Sequence, residues 1–270
     1  LVRVSELREN ESVALAQAPA TRDFLVDMIQ PTSDGELDLT VVEAVDRGAE
    51  RFESQFADQP ALRAEVGALI GTMYRRLGRL ESAQSFLTIS LDLHRGVYGP
   101  DAQSTLRVRH DRALLLADRG ACDQVLTEAQ ALQGLYERLL GRDHERTLAA
   151  QVLHADALQV LGRYNEAEPM LRDALDRTRP GGDNELVATN ILGAVLIATQ
   201  RFDEAEPVVR TENRRTREKF GETHVNALAS NHNLAGLLSQ LGKVEEAAQI
   251  TADNIEAALE TLPESHWRIG

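Results

Sequence analysis

Cysteine is nearly missing from this chain: Cys122 stands alone among 270 residues. That excludes an internal disulfide framework and a zinc site built on several thiolates. Proline is scarce, at 8, and aromatic residues make up only 4%, so small and medium aliphatic side chains must do most of the packing. Positive charge is short as well. Lys and Arg number 29 against 43 Asp and Glu, a formal net charge of -14. Phosphate neutralisation needs clustered cations, so nucleic acid is excluded as a partner, and acidic membrane surfaces are disfavoured for the same reason. No long hydrophobic run exists. The longest, "ILGAVLIA" (191–198), is far too short to span a bilayer, so no direct membrane insertion is expected of this segment. No signal-peptide pattern opens the chain, which starts at Leu1 and so reads as a piece of something longer. Composition names no compartment. The two lysines, Lys219 and Lys243, among so many arginines read as genome composition.

What is plentiful is Ala, Leu, Glu and Arg, a mixture that favours helix over strand. It is also repeated. "LGRYNEAEP" (161–169) returns as "TQRFDEAEP" (199–207). Anchored on Gly78, Gly120, Gly162, Gln200 and Gly242, the units are spaced 42, 42, 38 and 42 residues apart. Five positions after the anchor stand Ala83, Val125, Ala167, Ala205 and Ala247; four before it, Tyr74, Leu116, Leu158, Leu196 and Leu238; seven before it, Gly71, Ala113, Ala155, Gly193 and Ala235. Apolar residues three and four apart form one face of a helix, and the small ones admit a close neighbour.

Each unit carries start signals for two helices. Asp101, Asp143 and Thr223 are expected to cap the first, and Asp123, Asn165 and Asp203 the second. Glu168 and Glu206 follow the latter at capping-box spacing, Pro169 and Pro207 are expected near the first turn, and the anchor glycine is expected in the intervening turn, where positive φ is cheap. A helical pair cannot bury its apolar face alone, so copies must stack. The expected organisation is an N-terminal helical segment over 1–57, a lead-in, cap or degenerate repeat, then an array over 58–270. The array comprises units at 58–100, 101–142, 143–180, 181–222 and 223–262 and the start of a sixth.

No catalytic constellation is visible. Gly-rich phosphate loops, H-R-D, D-F-G, G-x-S-x-G, H-E-x-x-H and Walker motifs are all missing. The segment therefore reads as non-enzymatic, without cofactor or metal. His144, His224 and His266 recur with the repeat and so would not converge on an ion; their expected work is loop packing and helix starts. Carboxylate pairs such as Glu166/Glu168 read as capping and solvated faces, and Cys122 as a bland small residue.

The small residue, Tyr or Leu, Gly, aromatic and Ala in register resemble the tetratricopeptide repeat, whose usual period is about 34 residues. "GRYNEAEPMLRDAL" followed by G-x-x-H, seen in "GRDHERT" (141–147), "GETHVNA" (221–227) and, in spacing, "PESHWRI" (263–269), resembles the longer kinesin light chain type. The stretch 22–66 is similar to the lead-in of such repeats in bacterial serine/threonine protein kinases, where a kinase domain and a membrane helix precede the array. Departures fall at Ala102, Arg119, Ala121 and Val125 in the second unit, and at Gln200 and the shortened loop "RPGGD" (179–183) in the fourth.

The resemblance implies an all-α, right-handed solenoid whose first helices line a concave groove for a protein or peptide. By register the groove carries Glu65, Arg75 and Arg76; Arg107, His110, Asp111 and Asp118; Leu153, Asp156 and Gln159; and Asn190, His232, Asn233, Ser239 and Gln240. In kinesin light chain-like repeats, asparagines in the columns ten and nine before the anchor hold a peptide backbone, and Asn190 and Asn233 occupy those columns. The expected function is a protein-interaction scaffold, the regulatory or sensor arm of a kinase, lying in the cytoplasm or beyond a membrane anchor. The alternatives are self-association, an intramolecular regulatory arm, or a free-standing scaffold.

Overall fold

A computed structural model describes residues 19–28 and 40–261; the expected start of the sixth unit and His266 lie outside the described residues. Within them there are twelve helices and no strand. α1 covers 19–28. The others are α2 (Val41–Gln55), α3 (Pro60–Arg76), α4 (Leu80–Tyr98), α5 (Gln103–Asp118), α6 (Cys122–Leu140), α7 (Glu145–Val160), α8 (Tyr164–Arg177), α9 (Asp183–Ala198), α10 (Phe202–Phe220), α11 (Val225–Gln240) and α12 (Val244–Thr261). The chain divides into two compact units, 1–135 and 136–270, with the division inside α6.

One turn is written five times. In the third repeat Gly162 N–H donates to the Gln159 carbonyl and Arg163 N–H to the Leu158 carbonyl, which closes the end of α7. The same pair of bonds recurs at Gly78, Gly120, Gln200 and Gly242. Such a closure needs a left-handed residue. The four glycines have φ between 71 and 74°, and Gln200 takes φ 58° in spite of its side chain.

The expected helix caps shift. α7 and α11 are capped by His144 and His224, whose Nδ1 atoms accept from Arg146 N (3.2 Å) and Asn226 N (3.1 Å), and not by Asp143 and Thr223. At α5 the cap is Ala102 rather than Asp101, without a side-chain bond; Thr105 instead ties back to the Gly99 carbonyl at 2.7 Å. α8 and α10 start at once after the turn, at Tyr164 and Phe202, so Asn165 and Asp203 lie inside their first turns and cap nothing, and Asp123 likewise follows the first residue of α6. Pro169 and Pro207 consequently sit inside these helices, where each removes an internal N–H, and not in the first turn. Among the described residues a capping box is found on α2, between Thr40 and Glu43.

Glu168 and Glu206 have different work from capping. Glu168 accepts from Arg201 at 2.6 Å and Glu206 from Lys243 at 2.6 Å, each the residue just after the next turn. Arg210 adds Glu246 at 2.7 Å. The duplicated phrase thus joins consecutive hairpins through ion pairs on half-exposed ground, where water and salt screen the charges.

In the first unit the scarce aromatics gather. Phe24, Phe52, Phe56 and Tyr74 are buried with Met28, Val45, Leu87 and Leu91 in one cluster, with Phe86 packed against it. Phe24 and Phe56 meet edge to face at 5.3 Å, as do Phe52 and Phe86. Tyr74 reaches Asp46 at 2.7 Å, fastening α3 to α2. In the second unit α7–α8, α9–α10 and α11–α12 pack chiefly through Leu, Ile, Val and Ala, among them Leu158, Ala167, Leu171, Leu196, Ala205, Leu238 and Ala247, and buried Gln151 adds a bond from α7 to the Met170 carbonyl of α8 at 2.8 Å. The small-residue column marks the closest approach: a Cβ on Gly193 would lie 2.9 Å from Val209 Cγ2.

Candidate functional site

A cleft of about 370 Å³ opens in the second unit between α9, α10 and α11. Its wall is apolar, from Ala194, Ile197, Ala198, Val209, Gly236 and Leu237. Asn190, His232, Asn233 and Gln240, four residues placed in the groove by register, line it too, all exposed. α9 and α11 are first helices of successive hairpins, so the same register columns come side by side, and the 42-residue step from Asn190 reaches His232. None of these four side chains hydrogen-bonds within the described residues, whereas Asn213, Asn231 and Asn254, behind the cleft, are bonded to Ser230, to one another and to the Leu228 carbonyl. The structure therefore separates structural amides from open ones.

Glu212 also lines the cleft, and it is 5% exposed. It accepts from Thr216 Oγ1 at 2.8 Å and Ser230 Oγ at 2.5 Å. Thr189, another wall residue, is spent on the Glu185 carbonyl at 2.7 Å.

The remaining register residues are placed otherwise. Asp156 and Gln159 are half-buried on α7 and do not line this cleft. Burial pushes the Asp156 carboxyl above the usual carboxylate range. In the first unit Arg107 is committed to Glu65, its counterpart in the same column of α3, and Arg75 to Asp118 at 2.8 Å. Burial alone would raise the Glu65 carboxyl, but the hydrogen bond with buried His94 (3.2 Å) and the Arg107 charge bring it down to about 2. Arg76 is exposed in the last turn of α3, and His110 and Asp111 are half-buried on α5. Ion pairs thus close the inner columns of α3 and α5 at Glu65–Arg107 and Arg75–Asp118, while Arg76 and the columns of α9 and α11 are left open.

Register reasoning missed Glu212, because it lies on a second helix and the groove was assigned to first helices. A signal existed: twelve residues after the anchor the other units carry Ser90, Leu132, Ala174 and Asn254. Neither a metal-holding group of three or more His, Cys, Asp or Glu residues nor a helix long and apolar enough to cross a membrane is found among the described residues.

The tetratricopeptide repeat family model matches residues 148–179. No curated protein matches the chain in sequence. Among solved structures, the chain is similar to the nearly identical TPR-like repeats of a kinesin light chain-type protein of Podosopora anserina, with 19% identity, a TM-score of 0.56, and 76% of this chain and 98% of that one covered. It is also similar to BtubC (BKLC) of P. vanneervenii, with 15% identity, a TM-score of 0.62, and 83% and 94% covered. Identities this low speak to fold alone: the chain is an all-α solenoid of tetratricopeptide-like hairpins, the fold class that the family resemblance implied.

Proposed function

We propose that this chain is a non-catalytic docking scaffold that holds an extended peptide segment of a protein partner in the cleft between α9, α10 and α11. The observation that carries the reading is the set of four exposed side chains, Asn190, His232, Asn233 and Gln240, with no internal hydrogen bond, around an apolar wall. An amide supplies donors and an acceptor together, which suits a peptide backbone whatever its sequence. Asn190 and Asn233 are the backbone holders, and His232 and Gln240 supply further polar contacts. Asp156 and Gln159 extend the inner face along α7, and Arg76, His110 and Asp111 are the candidate contact residues of the first unit. Arg107, held by its ion pair with Glu65, belongs to the same first-unit set.

The expected repeat boundaries, 58–100 through 223–262, belong to the same reading. So does the placement of this array as the regulatory or sensor arm of a bacterial serine/threonine protein kinase, which rests on the resemblance of 22–66. Reading the gene upstream of the Leu1 codon tests that placement: a kinase motif set supports it, and an upstream frame without one overturns it. The docking function is tested with a random peptide library retained on the immobilised protein. Asn190→Ala with Asn233→Ala is expected to weaken retention by about tenfold or more at unchanged helicity. Unchanged retention refutes the groove.

A further inference from the structure

We propose that the cleft selects a peptide carrying a lysine or arginine side chain, with the Glu212 carboxylate as its counter-charge. The inference rests on the peptide-docking reading above and names the partner's chemistry.

Glu212 occupies a core position. Twelve residues after the anchor, Ser90, Leu132 and Ala174 are each 0% exposed. The fifth unit has half-buried Asn254 there, so every other unit places an uncharged side chain in this column, and a carboxylate at 5% exposure is costly unless it is paired. Its protein partners are two hydroxyls, from Thr216 and Ser230, which fix its orientation without neutralising it. Among the described residues no cation forms an ion pair with it. Three of the four arginines of its own helix are paired elsewhere: Arg210 to Glu206 and Glu246, Arg215 to Glu185, Arg217 to Glu222; the fourth, Arg214, is exposed and lines a different hollow with Pro180 and Glu218. The hydroxyl pair, the outward arginines and the core column together leave one fixed negative group at the back of a cleft.

The rest of the cleft fits the stem of a basic side chain. Long cationic side chains lay their methylenes on apolar surface and keep the charged end on a polar partner. Ile197, Val209 and Leu237 offer the surface, and Gly236 the room, since a Cβ built there meets nothing within 4 Å. His232 is the other ionisable group in the wall. An acidic side chain would face Glu212 unshielded, and an apolar one would seal the carboxylate from water without a cation. The chain's net charge of -14 draws basic peptides in before contact.

The test uses the full chain and a library of random decapeptides at moderate salt. Peptides retained by the protein are expected to carry Lys or Arg at one fixed position. Binding of the selected peptides should fall by about tenfold or more with Glu212→Gln, which keeps the side chain's size and one accepting oxygen, while its amide N–H donates to the second hydroxyl in place of accepting from it. Acetylating the selected lysine should cause a matching loss. Gly236→Leu, which fills the cleft from a position with open space and improves helix propensity, should abolish retention without lowering the melting temperature. Retained peptides without a basic preference, or indifferent to Glu212→Gln, overturn this inference and leave the docking groove standing. Retention that survives both Gly236→Leu and Asn190→Ala with Asn233→Ala, or no retention at all, overturns both.

Discussion

At residue scale, the repeat is held in register by side chains that sequence statistics rank poorly. Histidine is not a favoured cap, yet His144 and His224 each accept a first-turn N–H through Nδ1. The G-x-x-H loop works because a left-handed glycine, Gly141 or Gly221, turns the chain so that the imidazole faces the helix start. His224→Ala is expected to cost about 1 kcal/mol in chemical denaturation. Gln200 holds φ 58° where the other units use glycine, so Gln200→Gly should stabilise by about 1 kcal/mol. Asp156 carries a burial-raised carboxyl. A raised folded value gives stability that is present in acid and lost as pH rises through it. Asp156→Asn should therefore raise the melting temperature at pH 7, and the advantage should close as pH drops below the ordinary carboxylate range.

At the scale of elements, the spacing of small residues decides how closely hairpins nest. A Cβ on Gly71 would stand 2.8 Å from Leu87 Cγ, and one on Gly193 2.9 Å from Val209 Cγ2. Gly71→Ala and Gly193→Ala should each lose about 1–3 kcal/mol through forced repacking. Gly236→Ala, equally helical but facing open space, should gain about 0.8–1 kcal/mol from helix propensity. Denaturant midpoints for the three variants separate packing from propensity. These columns could be read in the chain because apolar periodicity is a one-helix property. The caps and the use of Glu168 and Glu206 could not, because they depend on neighbours: Glu168 was assigned to its own helix start, while its partner Arg201 lies across the next turn. Glu212 escaped for the same reason, since its meaning comes from the cleft it faces and not from its own helix.

At the scale of the whole molecule, charge is distributed unevenly between structure and readiness to bind, and acid titration tells the two apart. Glu43, Glu166, Glu168, Asp173, Glu204, Glu206 and Glu246 all have carboxyls held below the usual range, by backbone, hydroxyl, amide or cationic hydrogen bonds. Most are exposed, so salt should erode what they contribute. Glu65 is different, with its side chain 14% exposed and its carboxyl near 2 through His94 and Arg107. A depressed folded value gives stability that is complete above the unfolded value of 4.5 and lost as pH falls toward 2. Urea unfolding at pH 7, 4.5, 3 and 2 should therefore show a decline below 4.5 with a salt-sensitive and a salt-resistant part. Glu65→Gln should remove the salt-resistant part, at most about 3 kcal/mol at pH 7, and less to the extent that solvent screens the pair. Parent and variant should converge near pH 2. Parallel curves that never converge would mean that the Glu65–His94–Arg107 contact holds the first unit by shape alone, with its charge adding nothing.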